Sequence, residues 1–449
     1  MVNEQIKLLE QHRWFIWAPL ALAILIVYFH RTATGVVLDN IAQEFNINQA
    51  SELGLLSSIY FYTYAVLQVP AGILADFYGP RRTIAISLAI AACGAFAFGG
   101  ATSLSWLYAA RFMVGLGVAF IYINVIKLYA EWFRGREFGT MCGLASLVGN
   151  VGMILAAAPF AILIDSTGWH VAFYIVGAAT LVVSGYCWCI VRNAPGELGL
   201  ITISEVESAE GAVRKPQLAQ AGVVESIRTV WLNKYTWPPF LASVGIYGVY
   251  MTFTGVWGVP YLMQNYEVTR VEAAGYVAAL SVGYMIAGPL GGCASDRLKY
   301  RRLPYVLYTI CALSAWLTLT LWNGGKPPQQ FLYPLFVMIG AGSAGVALAI
   351  ACAKEVNPSN MTGIAAGTAN VGAFIGAALL QPIFGYVLDC HWQGTFNQGI
   401  KVYPLEAFQA AFWLCAAVLA VSLVFTLMIK ETHCGNVSVN NYSKNNLKV

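Results

Sequence analysis

Long apolar stretches separated by short polar turns make up most of the chain. Runs of mostly apolar residues lie at approximately 14–37, 52–76, 83–102, 105–130, 138–164 and 169–191. Six more lie at approximately 236–264, 272–295, 303–322, 331–353, 361–388 and 404–429. A helix needs about 20 such residues to cross the hydrocarbon core of a bilayer. The pattern predicts an all-α membrane protein with twelve transmembrane helices, numbered here spans 1 to 12. The long polar stretch 193–235 divides them into two six-helix bundles, 1–192 and 236–433. Its end, Val223 to Trp231, spaces apolar residues like a short amphipathic helix lying on the membrane face. The tail 434–449 is rich in Asn, Ser and Lys, and disorder is expected there.

The two bundles carry one spaced pattern twice. Gly72 and Asp76 recur as Gly292 and Asp296, each pair 220 positions apart. Gly143, Asn150 and Gly152 recur at the same offset as Gly363, Asn370 and Gly372. A duplicated set of membrane helices points to a secondary transporter, with its solute bound near the bilayer midplane between the repeats.

Composition agrees. The 449 residues are 58% hydrophobic and 10% charged, with a mean hydropathy of +0.64. Soluble domains carry roughly 25% charged residues, so lipid must solvate most of this surface. Of the 25 Lys and Arg, 19 fall in segments on the N-terminal side of the bilayer and only Arg270, Lys326 and Lys401 on the other. That asymmetry places both termini in the cytoplasm. It also explains the net charge of +4 as topology, with no nucleic-acid surface. The ten cysteines are scattered through apolar runs without CxxC or Cys/His spacing, so neither a metal nor a disulfide framework is expected. Met1 to Arg13 is polar and the apolar run behind it is too long for a signal peptide, so it reads as a cytoplasmic lead-in. No nucleotide loop, metal spacing or nucleophile constellation suggests an enzyme or a cofactor.

Between spans 2 and 3 the chain reads Gly72-Ile-Leu-Ala-Asp76-Phe-Tyr-Gly79-Pro-Arg81-Arg82. It resembles the Gly-x-x-x-Asp-x-x-Gly loop, followed by basic residues, of the major facilitator superfamily. A weaker copy, Gly292-Cys-Ala-Ser-Asp296, follows span 8, with Arg301 and Arg302 beyond it. Glycine allows close helix approach, and Asp76 can meet Arg81 or a helix N-terminus in one conformer only. The two loops are therefore expected to form a conformational latch of Gly72, Asp76, Gly79, Arg81, Arg82, Gly292 and Asp296. Arg111-Phe-Met-Val-Gly115-Leu-Gly117 in span 4 resembles the Arg-x-x-x-Gly-x-Gly segment of the same superfamily, where the Arg serves coupling or structural pairing. Tyr28-Phe-His30-Arg31 in span 1 resembles the Tyr-x-x-Arg segment of the organic anion:cation symporter and sugar-phosphate branch, with His30 where an Asp usually stands. The chain also resembles bacterial nutrient permeases, including phagosomal amino-acid transporters. This implies a bacterial inner (plasma) membrane location.

Ionisable groups inside a membrane are functional candidates by default. Here they are His30, Arg31, Arg111 and Lys127. Arg31 is expected to bind an anionic group of the solute, or else to pair structurally near the external face. His30 and Arg111 are the proton-coupling candidates, and a core histidine is the bland alternative. Lys127 and Asn124 share one face of span 4, either lining the site or ending in a Lys127–Glu131 pair. Tyr28 and Tyr64, with Tyr250 and Trp257 of span 7, suggest an aromatic cavity wall, or simply packing. Asn150 and Asn370 complete the substrate-binding set, with interhelical bonding as the alternative.

The resulting expectation is a monomeric secondary transporter that takes up a small hydrophilic solute by proton symport and alternating access. Organic acids, amino acids and small peptides fit the anionic or zwitterionic class. An exporter or drug:proton antiporter is the alternative, although Ala158 stands where that branch has Gly before Pro159. A transporter-like solute receptor is a third, and it calls for a signalling domain or long tail.

Overall fold

The computed structural model describes residues 2–134, 137–203, 205–206, 223–358, 361–397 and 400–435. The side chains of 2–5, 69, 72–77, 223–224, 397 and 400 lie outside that description. Eleven described stretches are long and apolar enough to cross a bilayer, from Ile6–Val36 to Leu405–Leu427. Helix Ala50–Phe77 occupies the place of span 2. The connection between spans 11 and 12 holds a feature that apolar periodicity does not show: a hairpin pairing Phe396–Asn397 with Ile400–Lys401. The expected amphipathic helix at the end of the linker forms at Val223–Leu232. Most of the linker before it, residues 204 and 207–222, lies outside the described residues, as does 436–449 of the tail.

Several spans are broken, and each break has a local cause. Span 5 stops at Leu155 and resumes at Ala158. Pro159 has no N–H, and its ring blocks the carbonyl four residues back, at Leu155. Span 4 divides at Phe120 into Leu104–Ala119 and Ile121–Trp132. There Asn124 Nδ2 donates to the Phe120 carbonyl at 2.6 Å, replacing a ladder bond. Span 1 ends in a 3₁₀ turn, Ala33–Val36. Span 7 contains a π turn, Phe253–Trp257, which begins 220 positions after that turn. The repeat thus extends to where the helices are interrupted.

The chain forms two compact units: Met1–Ala33 with Thr63–Pro216, and Thr34–Tyr62 with Gln217–Val449. Packing therefore divides the chain differently from the order of its spans, since 34–62 packs with the second repeat. Within each unit, glycines set the tightest approaches. A Cβ on Gly152 of span 5 would collide with the Leu25 carbonyl of span 1, and one on Gly376 of span 11 with the Val244 carbonyl of span 7. Lipid gives helices no hydrophobic reason to associate, so close packing must hold them together. Gly143 and Gly363 also belong to the repeated pattern, yet each faces open space.

Helix Arg302–Leu321 begins under a cap that the local sequence lacks. Glu431, beyond span 12, accepts from the Arg301 and Arg302 amides at 2.9 Å each. It also accepts from its own turn, at Thr432 and His433. Partial burial works against the Glu431 charge, but these four amides outweigh it and hold the carboxyl below its ordinary value.

Two predictions follow from the packing and the cap. Gly152→Ala and Gly376→Ala should each destabilise by about 1–3 kcal/mol through overpacking, whereas Gly143→Ala and Gly363→Ala should be neutral or slightly stabilising; thermal unfolding in detergent separates the pairs. Because the Glu431 pKa is depressed on folding, its contribution is complete above about pH 4.3 and fades as pH falls through the lower folded value. The midpoint gap between the native chain and Glu431→Gln should accordingly be present at pH 7 and close towards pH 3.

Candidate functional site

In the first unit, the basic residues of span 1 are buried: Arg31 is 4% exposed and His30 fully covered. Arg31 lays its guanidinium over the Tyr28 ring at 4.2 Å and lies 5.8 Å from the Tyr64 ring. The aromatic faces stabilise a cation that lipid cannot. Tyr28 in turn rests on span 5, where a Cβ on Gly149 would sit 2.9 Å from its ring. A guanidinium covered on its face still presents its planar N–H edge, which matches carboxylate, sulfonate and phosphate oxygens. Sequence reasoning missed Tyr122, which lies within electrostatic range of Tyr28, Tyr64 and Arg31. It stands two residues before Asn124, roughly 200° around the helix from the face chosen by Asn124 and Lys127.

Arg111 supports span 1 from span 4. Its Nη1 donates to the His30 carbonyl at 2.8 Å. The His30 ring is fixed on its other side by Thr180 of span 6, a residue with no sequence signal, through a 3.2 Å bond from Nε2 to Oγ1. Thr180 already donates its hydroxyl proton to the Val176 carbonyl at 2.8 Å. The Thr180 oxygen must therefore accept, which puts the His30 proton on Nε2. Nδ1 is left as a buried lone pair with no hydrogen-bond partner among the described residues.

Asn124 and Asn150 share one geometry. Each donates its amide to the carbonyl four residues back, Phe120 and Ser146. Each keeps a buried Oδ1 with no partner among the described residues. Lys127 is half-buried on the same short helix as Asn124. The first unit thus holds cationic donors at Arg31 and bare acceptors at two amides.

The other predicted residues fall in the second unit. Tyr250 is buried and stacked on Tyr284, 5.0 Å between centroids. Trp257 lies in the π turn, stacks on Phe384 at 5.7 Å and donates Nε1 to the Gln381 carbonyl at 3.0 Å. Asn370 is half-buried on span 11.

The two loop motifs differ. Gly72 and Asp76 lie in helix Ala50–Phe77, and their side chains are outside the described residues. Gly79 takes φ 78°, which only glycine adopts freely, and turns the chain into the next helix. Arg81 then donates to the Trp188 carbonyl at 2.7 and 3.0 Å, near the C-terminus of span 6 where a cation is favoured. Arg82 follows in the same first turn. In the second copy Gly292 faces open space, and Asp296 pairs with Arg301 at 2.6 Å. Arg301 also pairs with Glu355 at 2.8 Å, at the end of span 10. The half-buried Arg301 pays a desolvation cost, but these carboxylates outweigh it and raise its pKa.

Comparison with known proteins matches this architecture over nearly the whole chain. The family model of the Major Facilitator Superfamily matches residues 20–279 and 239–438. A probable galactarate/D-glucarate transporter of Bacillus subtilis is 24% identical, covering 89% of this chain and 90% of that one. A probable hexose phosphate transport protein of Chlamydia trachomatis is 24% identical over 86% of this chain and 87% of its own. A membrane sensor protein of Escherichia coli is 28% identical over 85% and 86%. Among solved structures, a bacterial homologue of the human lysosomal transporter Spinster, inward-facing and unoccupied, superposes with a TM-score of 0.76 at 19% identity. It covers 93% of this chain and 97% of that chain. With its duplicated helices, its paired loop motifs and this match, the chain belongs to the Major Facilitator Superfamily, and it is a multi-pass membrane transporter rather than an enzyme.

Proposed function

We propose that the protein takes up a small hydrophilic anionic or zwitterionic solute, such as an organic acid, across a bacterial inner membrane by proton symport. The carrying observation is Arg31, a guanidinium buried in span 1 with its face on Tyr28. Relatives named for galactarate, hexose phosphate and sulfoacetate handle anions, which supports the same class here. Asn124 and Asn150 supply acceptors for hydroxyl or ammonium groups on the same solute. Tyr28, Tyr64 and Lys127 are the further solute-binding residues of the first unit, and Tyr250, Trp257 and Asn370 are those of the second. The protein works as a monomer with both termini in the cytoplasm.

His30 is the proton carrier in this reading. Its Nδ1 lone pair is free to take a proton, and Arg111 holds the backbone at the same residue. An anion seated on Arg31 would offset the charge of that proton, so each ligand favours the other's binding. Arg81 and Arg82 with Asp76, and Asp296 with Arg301 and Glu355, form the cytoplasmic latch that holds one conformer.

A second reading, a sensor that binds solute without moving it, draws on the 28% identity to the E. coli membrane sensor protein. A thermal-shift screen of the purified protein against sugar acids, amino acids, dipeptides and sugar phosphates identifies the ligand by mass action. Flux of that ligand into proteoliposomes then decides between carrier and sensor. Arg31→Ala should cut uptake of an anionic solute about a hundredfold, as expected for a lost charged hydrogen bond of ~3 kcal/mol; unchanged uptake at normal expression removes Arg31 from the site. His30→Gln should abolish alkalinisation of the medium on solute addition while leaving solute exchange intact. Alkalinisation that persists in that variant places the proton elsewhere.

A further inference from the structure

The outer parts of spans 1 and 2, residues 34–62, pack with the second repeat, although they belong covalently to the first. What holds them there is a seam between span 2 and span 11. At its end, Asp389 Oδ1 accepts from the Ala50 amide at 2.9 Å, and Oδ2 accepts from the Ser51 amide and hydroxyl at 3.0 Å each. Tyr403 donates its hydroxyl to Oδ1 at 2.9 Å, and Lys401 Nζ stands 3.9 Å away. One turn further in, a Cβ on Gly385 would collide with the Ala50 backbone, and one on Gly54 with the Gln381 carbonyl. Another turn in, the Ser58 hydroxyl, which donates to the Gly54 carbonyl at 2.9 Å, also lies 3.3 Å from Gln381 Oε1. The seam ends on Phe61 stacked against Phe374 at 6.2 Å.

Two features mark this seam as built to part. Ala50 and Ser51 are the first residues of helix Ala50–Phe77, whose leading amides have no partner within the helix. The residue before them is Gln49, outside the Ser, Thr, Asp and Asn group that normally caps a helix. The cap comes from Asp389, 338 positions away, so it lasts only while the two spans touch. The inner contacts, meanwhile, include glycine, serine and glutamine as far as Phe61. Their polar groups can exchange each other for water.

The other end of the segment is equally specific. Thr34, its first residue, lies in the 3₁₀ turn Ala33–Val36. Gly35 in that turn touches Gly255 in the π turn of span 7, where a Cβ would run into the Gly255 carbonyl. The packing boundary between residues 33 and 34 therefore coincides with a break in the helix.

We propose that Asp389 is the latch of an external gate: it holds residues 34–62 on the second repeat while the outer mouth is shut, and they leave it when the mouth opens. The proposal rests on the reading of the chain as an alternating-access transporter with Lys401 outside. Its test needs no solute, so the two can fail separately. Ser58→Cys, covered in the closed seam, is labelled with a membrane-impermeant maleimide in right-side-out vesicles, and modification at residue 58 is read by peptide mass spectrometry. Adding Asp389→Ala should speed that labelling about tenfold. Ser51→Ala and Tyr403→Phe, each removing one hydroxyl donor, should speed it about two- to fivefold, and they decide the matter if Asp389→Ala does not fold. A Ser51→Cys/Asp389→Cys pair, oxidised to a disulfide, should suppress labelling in a chain that also carries Ser58→Cys, and reductant should restore it. Equal labelling rates in the native seam and in the folded latch variants overturn the proposal, as does labelling unaffected by the disulfide.

Discussion

In hydrocarbon, a backbone carbonyl or amide without a partner costs several kcal/mol, and no water is present to relieve it. That constraint governs where these helices break. The Phe120 carbonyl, freed where span 4 divides, is taken by the Asn124 side chain. Span 5 is interrupted at Pro159, where a ladder bond is lost in any case. Span 7 widens into a π turn and keeps its backbone helical instead of stopping. The Gln381 carbonyl on span 11, just before Pro382, receives the Trp257 indole. Irregular backbone is what admits side chains to the middle of a bundle, and at Phe120 a particular side chain replaces the missing bond.

The same economy applies to charge. Arg31 and Arg111 are both buried, and each is accommodated differently. Arg111 spends a donor on the His30 carbonyl and so serves the backbone of span 1. Arg31 is held by the face of Tyr28, a contact that stabilises the cation through the ring. The first meets a backbone oxygen and the second an aromatic face. A threonine on span 6 settles the histidine between them, because its hydroxyl is already committed to Val176.

Much of this was legible in the chain. Apolar runs located the spans because lipid demands them, and the offset of 220 located the repeat. Arg31 stood out because a cation deep in an apolar run has few explanations. The remainder depends on contacts between distant segments. Tyr122 gave no signal because its relevance comes from proximity to three residues on spans 1 and 2. Glu431 and Asp389 looked like ordinary residues at helix ends, and their partners lie 130 and 338 positions away. The break in span 4 hides inside an unbroken hydropathy profile, because hydropathy measures side chains and the break is a backbone event. The equivalence of Gly143 with Gly363 is visible in sequence, yet both face open space, so repetition alone did not distinguish a packing glycine from an incidental one.

Gly35 and Gly255 occupy equivalent places in the two repeats, and they touch each other. Contact between equivalent residues is the arrangement found on the two-fold axis of a symmetric dimer, where a surface must be complementary to itself. A side chain at such a point would meet its own copy. In a duplicated chain the two copies are free to diverge almost everywhere, but at this point neither can grow unless the other stays small. The pair thus preserves in one polypeptide a requirement that belongs to two identical subunits.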